Sequence, residues 1–327
     1  MKALPDPASP LSADAAADAF AAILDGEIAD GALAAFLVTL ATRGETVIEI
    51  VAAATALRRR QSFAPQAPDA VDVCGTGGDG KHSLNVSTAV ALVVAACGVK
   101  VAKHGNRAAS SSSGAADVLA ALGVPELPVE RLGACLEAVN IIFLHAARHH
   151  PAMARVAPVR RALGRRTIFN LLGPLANPAG VQRQLVGVAD ISFVTPIAEA
   201  LAALGSTRAM VVHGDGYDEI AVTGVTKFAR ADGAVISTGQ IDVADVGITR
   251  YAEAALAGGD PAHNAARLRA LLVGETGAYH DIVVINAAAA LRLVDPSLDW
   301  QSAADRARAA LRDGAAADTL ARWSHFR

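Results

Sequence analysis

The sequence predicts an α/β fold, with a small N-terminal all-helical domain ahead of a larger domain whose mainly parallel central sheet is flanked by helices. Two observations support this. From residue 12 to about residue 60 an alanine-rich stretch has helical spacing, interrupted only at Asp25-Gly26 and Arg43-Gly44-Glu45. From residue 71 onward short apolar runs alternate with longer helical patterns, which is typical of a parallel sheet covered by helices.

Domain boundaries follow from the same patterns. The segment SFAPQAP, at about 62–68, has two prolines and reads as a linker. We therefore predict a helical domain over 1–66, completed by helices within about 155–180, and an α/β domain over 69–327. The predicted strands are 71–74, 99–103, 140–144, 184–188 and 209–213, with further strands through 221–229. The predicted helices are 87–97 and 114–122, with a run of helices from Pro261 onward.

Composition limits the function classes. The chain has 327 residues, is 53% hydrophobic, and balances 29 Lys and Arg against 32 Asp and Glu, for a net charge of -3. A disordered chain is excluded, and no global basic field would attract nucleic acid or a membrane surface. The odd count of three cysteines contains no C-x-x-C pair, which favours a reducing compartment. The N-terminal segment lacks the apolar core of a secretory signal, so we expect a cytoplasmic protein.

A glycine-rich loop follows the first predicted strand, in DVCGTGGDGKHSLNVST over 72–88. Its four glycines, Gly75, Gly77, Gly78 and Gly80, can adopt positive φ and let backbone N–H groups approach an anion. The segment from Asn85 to Thr88 then opens a helix, whose N-terminus favours phosphate. The loop therefore resembles a pyrophosphate cradle, although it matches neither a Walker loop nor G-x-G-x-x-G.

Two further clusters follow later strands. KHGNR, at 103–107, leads into four serines at 110–113 and a helix, so a second anion-binding loop would lie beside the first. Asp218 and Glu219 are adjacent in HGDGYDEI. Two bare like charges at 4 Å repel by about 4 kcal/mol at an effective dielectric constant of about 20. Near a pyrophosphate the pair would therefore suit Mg²⁺, which prefers oxygen ligands.

Taken together, the motifs of this chain are similar to those of a known protein family. GTGGD with NVST, KHGNR with SSSSG, HPAMARVAPVRRALGRRTIFNLLGPLANP and GYDE, in this order, resemble the anthranilate phosphoribosyltransferases over nearly the whole chain. The resemblance implies the fold of the nucleoside phosphorylase and phosphoribosyltransferase class and a homodimer joined through the helical parts. It also implies a Mg²⁺-dependent transfer of the phosphoribosyl group from 5-phosphoribosyl 1-pyrophosphate (PRPP) to anthranilate, in tryptophan biosynthesis.

The resemblance also assigns residues. The substrate-binding set is Gly75, Gly78, Asp79, Ser83, Asn85, Ser87, Thr88, Lys103, His104, Gly105, Asn106, Arg107, Ser110, Ser111 and Arg161. Within it, Asn106 would also touch anthranilate, and Arg161 would receive the anthranilate carboxylate, with Arg160 beside it leaving the register open. Ser87, Asp218 and Glu219 would hold magnesium. Lys103 and Arg107 would act catalytically by stabilising the departing pyrophosphate.

At some positions this chain has a different residue from the one common in the family. Ser83 replaces a common threonine, and Ala115 replaces a serine that often contacts the donor. His145 and Ala147 stand where phenylalanine and proline are frequent, which affects the expected shape of the acceptor tunnel. For His149 and His150 a packing or capping role is favoured over zinc, because no carboxylate or cysteine partner lies at helical spacing.

Two alternatives stay open at this point. A pyrimidine nucleoside phosphorylase has a similar fold and a related phosphate loop, but the acidic pair and KHGNR favour a pyrophosphate donor. A non-enzymatic, nucleic-acid-binding relative should be basic and should lack a complete donor site, unlike this chain.

Overall fold

The computed structural model describes residues 2–107 and 112–327. Within them, one seven-stranded sheet has the strand order β3-β2-β1-β4-β5-β6-β7. The strands are β1 Val71–Gly75, β2 Val101–Gly105, β3 Ile141–His145, β4 Arg183–Gly187, β5 Arg208–Gly214, β6 Thr226–Asp232 and β7 Val235–Ile241. The first five strands pair in parallel, and β6 and β7 extend the β5 edge antiparallel. The predicted α/β class with a mainly parallel sheet is therefore confirmed.

Helices precede the sheet and cover both of its faces. The N-terminal helices are α1 Ala13–Leu24, α2 Asp30–Arg43 and α3 Val47–Arg58. Helices between strands are α4 Val86–Ala96, α5 Ala115–Ala121, α6 Val129–Val139, α7 Ala146–His149, α8 Met153–Leu163, α9 Leu172–Leu175 and α10 Val194–Ala203. The C-terminal helices are α11 Pro261–Leu272, α12 Ala278–Val294, α13 Trp300–Arg312 and α14 Ala315–His325.

Local sequence explains where several helices begin. Thr46 and Glu49 form a capping box that starts α3, in which each side chain bonds the other residue's backbone N–H. Asp260 caps α11 through the N–H of His263, and Pro261 occupies the first turn, where its missing N–H costs nothing. The described part of the chain contains no helix that is long and apolar enough to cross a membrane.

The sheet separates two hydrophobic cores because successive strand residues point to opposite faces. Val73 and Met210 belong to the core shared with α4, α12, α13 and α14. Cys74 and Val211 point the other way, into the core that contains α1, α2, α3 and α10. The N-terminal helices therefore share a core with one face of the sheet.

The helix α8 returns to the N-terminal helices and packs against α1 and α2. Arg58, at the end of α3, fastens this layer: its Nε donates to the carbonyl oxygen of Leu175 at 2.6 Å, and its Nη1 donates to that of Leu204 at 3.1 Å. Both carbonyls lie at helix C-termini, where backbone acceptors lack partners within the helix. Arg58 therefore joins α3 to the ends of α9 and α10.

The predicted elements differ from the structure at several places, and the helices α7 and α10 and the strand β7 were not predicted. The strand predicted over 99–103 runs from Val101 to Gly105, and the strand region predicted over 221–229 becomes a loop up to residue 225 followed by β6. The helix α6 was not predicted, although its apolar residues Val129, Leu132, Leu136 and Val139 recur with helical spacing. Gly133 interrupts that pattern and weakens its helical signal.

Candidate active site

The predicted site loops meet at one edge of the sheet. The strands β1, β2, β4 and β5 are mutually parallel neighbours, and they end in Gly75, Gly105, Gly187 and Gly214. The glycine loop follows β1, KHGNR spans the end of β2, and the acidic pair follows β5. This edge is where open α/β sheets bind ligands.

The glycines of the first loop serve two different purposes. Gly77, Gly78 and Gly80 have φ of +65°, +82° and +71°, a conformation that residues with a Cβ rarely adopt. Gly75 has no such φ, but a Cβ there would overlap the carboxylate of Asp218. The Asp218 Oδ2 accepts the N–H of Gly77 at 2.8 Å. The loop is thus folded around Asp218.

The acidic pair is electrostatically frustrated. Burial, and then the charge of Asp79, raises the pKa of Asp218 to about 7, against a partly compensating bond from the Gly77 N–H. Burial and the neighbouring Asp218 raise the pKa of Glu219 well above its ordinary value, and the positive charge of Lys103 opposes that shift. Three carboxylates therefore share one place that lacks enough positive charge.

The shortage of positive charge around these carboxylates bears on whether the residues fit magnesium. Carboxylates that repel one another are stabilised by a hard cation, so the donor set suits Mg²⁺. Within residues 2–107 and 112–327, however, no group of three or more His, Cys, Asp or Glu side chains is arranged to hold a metal. The ion would consequently need oxygens from substrate or water in addition to protein ligands, which is how Mg²⁺ is commonly bound.

Lys103 is buried beneath the first loop. Its Nζ donates to the carbonyl oxygen of Val73 at 2.7 Å and to the Oγ of Ser87 at 3.1 Å. Ser87 lies in the first turn of α4, and its backbone N–H lowers the pKa of Glu219. The structure therefore brings Lys103, Ser87 and Glu219 together, although they are far apart in the sequence.

A cleft of about 660 Å³ opens between the glycine loop and the end of α8. Its loop side is formed by residues 76–80, and its other side carries Arg160, Arg161, Arg165 and Arg166. Arg161 is exposed, whereas Arg160 is half-buried with its guanidinium 5.9 Å from the ring of Phe169. Burial lowers the pKa of Arg160. Asp79 and Arg161 thus face one cavity.

The residues around the start of α4 are held by neighbouring segments. Asn85 accepts from the Asn264 Nδ2 at 2.9 Å and donates to the carbonyl oxygen of Ser113 at 3.1 Å. Ser83 forms an isolated β-bridge with Ala257. Thr88 is buried, and its hydroxyl has no hydrogen-bond partner within the described residues. The side chain of Asn85 therefore joins two site loops to α11.

In the second loop, the residues before and after Gly105 have different surroundings. His104 is buried, its Nδ1 lies 2.9 Å from the carbonyl oxygen of Gly173, and its ring lies 5.1 Å from that of His150. Burial, and then the nearby His150, lowers the pKa of His104 to about 3, so the imidazole is neutral. A Cβ at Gly105 would press on the ring of Phe143.

Asn106 and Arg107 lie further out. Asn106 Oδ1 accepts the N–H of Arg107 at 2.9 Å, and the exposed Arg107 side chain pairs with Asp117 at 3.3 Å. The structure therefore pairs the Arg107 guanidinium with Asp117 rather than with the acidic pair, and its catalytic role stays a prediction. Ser110 and Ser111 lie outside the described residues.

Sequence reasoning missed several residues at this site. Arg165, Arg166 and Asn170 line the cleft, and Lys81 approaches both Glu253, at 3.0 Å, and the ring of Tyr217, at 4.9 Å. The Arg165-Arg166 pair was a visible signal, because α8 is followed within three residues by a second basic pair. No sequence signal links Asn264 to Asn85, since 179 positions separate them.

Comparison with known proteins gives the family. The model of the glycosyl transferase family, a/b domain, matches residues 67–317, and that of the helical bundle domain of the same family matches residues 6–60. An anthranilate phosphoribosyltransferase of Novosphingobium aromaticivorans is 52% identical over 99% of this chain and 98% of its own length. One from Sphingopyxis alaskensis is 50% identical over the same shares.

Solved structures agree. The crystal structure of anthranilate phosphoribosyltransferase from Thermus thermophilus has a TM-score of 0.92 and 42% identity, and covers 98% of this chain and 96% of that one. The enzyme from Saccharomyces cerevisiae in complex with PRPP and Mg has a TM-score of 0.86 and 27% identity, with coverages of 96% and 92%. The fold and the site thus define a glycosyl transferase with a helical bundle and an a/b domain. Within that class, the chain belongs to the anthranilate phosphoribosyltransferase family.

Proposed function

We propose that this chain transfers the 5-phosphoribosyl group of PRPP to the amine of anthranilate, releasing pyrophosphate, as a step of tryptophan biosynthesis. The single observation that carries the proposal is the cleft of about 660 Å³ whose glycine loop, folded around Asp218, faces an arginine-rich helix end. One side suits a pyrophosphate and the other an aromatic carboxylate. The relatives named above support this substrate pair, since one yeast structure holds PRPP and another 4-fluoroanthranilate.

The donor side would work by electrostatic preorganisation. Cleaving the anomeric bond puts positive charge on the ribose and negative charge on pyrophosphate. The amide of Gly78 and the ammonium of Lys103 would supply fixed partners for that negative charge. Asp218, Glu219 and Ser87 would hold Mg²⁺, which would neutralise charge on the pyrophosphate. The yeast relative solved with PRPP and Mg supports the use of magnesium.

The remaining donor-site assignments are proposals. Gly75, Asp79, Ser83, Asn85, Thr88, Gly105 and Asn106 would line the donor site, with Ser110 and Ser111 contributing from the second loop. His104 would act through its packing, because its neutral ring is directed to Gly173. Arg107 would need to leave Asp117 to reach a phosphate, and an exposed ion pair of this kind is weak.

The acceptor side would hold the anthranilate carboxylate with an arginine, whose planar fork matches a carboxylate. Arg161 is the residue that the sequence predicts, but Arg160 is the more buried and has no ion pair within the described residues. We therefore propose Arg160 as the primary partner and Arg161 as a rim contact. No strong general base is needed, because an aromatic amine is neutral near pH 7 and its lone pair is free. Ordering it behind the anomeric carbon contributes by proximity.

We also propose a homodimer joined through the helical domain. A groove of about 700 Å³ runs between α1 and α3, and alanines, Val47, Ile48 and Val51 form much of its lining. Ile48 is 50% exposed, and such exposed apolar surface favours association. The cytoplasmic location and the domain division at residues 66 to 69 stay predictions.

The test is an assay of the purified chain that follows the loss of anthranilate fluorescence with PRPP and Mg²⁺. We expect turnover that requires all three components, and the double variant Asp218→Asn/Glu219→Gln should lose Mg²⁺-dependent turnover. Full activity of the double variant would remove the metal assignment. Phosphate-dependent release of base from thymidine, without consumption of anthranilate, would instead indicate a nucleoside phosphorylase.

A further inference from the structure

A histidine outside the predicted site bonds directly to Asn106. His145 ends β3 and lies opposite Gly105 in the β2–β3 register, next to Asn106. Its Nε2 lies 3.2 Å from the Asn106 Oδ1, and its Nδ1 lies 3.0 Å from the Glu126 Oε1. The ring is only 12% exposed. Asn106, His145 and Glu126 therefore form one chain of hydrogen bonds at the ends of β2 and β3.

The direction of these bonds is fixed by a backbone group. The N–H of Arg107 donates to the same Asn106 atom at 2.9 Å. A backbone N–H can only donate, so the atom that faces it is the carboxamide oxygen. His145 must therefore donate from Nε2, because an amide oxygen only accepts.

The other ring nitrogen contacts a carboxylate. Its partner Glu126 also pairs with Arg148 at 3.3 Å, and the hydrogen bond with His145 lowers the pKa of Glu126. Glu126 therefore holds the ring through Nδ1 while Nε2 faces Asn106.

We infer that His145, held by Glu126, is a positioning residue that fixes the carboxamide of Asn106 so that only its amino group is presented to substrate. Because Oδ1 already accepts two hydrogen bonds, the Asn106 carboxamide has only its NH₂ group free for a substrate. It therefore binds an acceptor atom of the substrate, such as a carboxylate oxygen of an aromatic acid, in preference to a donor. This inference rests on the proposed function for the identity of that acid.

Two matched variants separate positioning from packing. In His145→Gln the amide nitrogen takes the place of Nε2 and keeps the donor to Asn106. In His145→Asn it takes the place of Nδ1, so it keeps the bond to Glu126 and loses Asn106. From the contribution of a typical hydrogen bond, we expect the anthranilate KM of the Asn variant to be about twofold to thirteenfold above that of the Gln variant. Equal KM values would overturn the positioning role.

The bond to Asn106 is tested on the intact protein by histidine ¹⁵N spectroscopy, with the His145 signals assigned by their loss in His145→Gln. We expect Nε2 of His145 to carry a proton, because it donates to the Asn106 Oδ1. A wild-type ring without a proton on Nε2 would overturn the inference. These spectra need no turnover, so a chain that fails to consume anthranilate would refute the proposed function alone.

Discussion

Individual residues at this site are explained by what surrounds them more than by their type. Lys103 and Arg107 are both cations of the second loop, yet one is buried against Ser87 and the other is exposed beside Asp117. Only the first lies near the acidic pair. Burial also distinguishes Arg160 from Arg161, which are neighbours in the same helix.

The neighbouring arginines Arg160 and Arg161 give a prediction about single residues. We expect Arg160→Ala to raise the anthranilate KM by about tenfold to a hundredfold, because a bond between charged groups contributes about 1.5–3 kcal/mol. Arg161→Ala should raise it less, since an exposed guanidinium is screened by water. Steady-state kinetics with varied anthranilate measure both, and the PRPP KM serves as the internal control. A larger effect in Arg161→Ala would return the role to the residue that the sequence predicts.

At the scale of secondary-structure elements, the helix α3 begins near Glu49, a carboxylate that accepts several hydrogen bonds. Glu49 accepts from the backbone N–H of Leu11 at 3.0 Å and of Thr46 at 2.8 Å, and from Arg43 Nη2 at 2.6 Å. Burial is the largest single influence and would raise its pKa, but the bonds from the two backbone N–H groups, the Thr46 hydroxyl and Arg43 together lower that pKa below the ordinary 4.5. Through its bond to Leu11, the capping residue Glu49 also holds the segment that precedes α1.

This lowered pKa predicts a pH dependence. Because the folded state binds the Glu49 proton less tightly than the unfolded state, the stabilisation is complete well above pH 4.5 and is lost as pH falls through the folded-state pKa. Glu49→Gln should therefore lower the free energy of unfolding by about 1–3 kcal/mol at pH 7, and by less in acid. Urea unfolding at pH 7, 5 and 3.5 measures the difference.

A matched control is Glu137→Gln, which breaks an exposed ion pair with Lys100. Such a pair contributes about 0–1 kcal/mol, so its removal should change little at any of these pH values. A Glu49→Gln deficit that stays constant from pH 7 to 3.5 would contradict the ionisation argument.

On the scale of the whole molecule, the sheet joins two cores and leaves a groove on the helical side. The core that holds α1 and α3 reaches the sheet through Cys74 and Val211, so this layer is continuous with the site-bearing strands. The groove between α1 and α3 lies on the same layer, with Asp25 and Arg60 paired at 2.6 Å among its lining residues. A second copy seated there would therefore be coupled to the site through a packed core.

The dimer prediction follows from that groove. Ile48→Glu places a charge on its apolar surface and should convert the dimer to a monomer, because an unpaired charge is costly to bury. Val273→Glu is the control, since Val273 is 78% exposed and lies outside the groove. Analytical ultracentrifugation of both variants and the parent chain gives the masses. A wild-type monomer, or a dimeric Ile48→Glu, would exclude this interface.

Prediction from the sequence succeeded where the signal is local. The glycine loop, the second loop and the acidic pair each follow a predicted strand, and the predicted mainly parallel sheet brings the ends of such strands to one edge. It failed where contacts are distant: Asn264 holding Asn85, Glu126 holding His145, and Arg166 over the ring of Phe193 at 4.0 Å. Such pairs leave no periodic pattern, because only folding brings them together.

By itself, the sequence determined the α/β class, the order of the site loops and the resemblance to a family, because periodicity, glycine content and ordered motifs are properties of the chain. Only the tertiary structure decided that Gly75 makes room for Asp218, that Arg160 is the more buried arginine and that His145 bonds Asn106. These facts depend on burial and on distances between segments far apart in the chain. Burial and distance set which charges repel, which bonds form and which groups water can reach, and they exist only once the layers have packed.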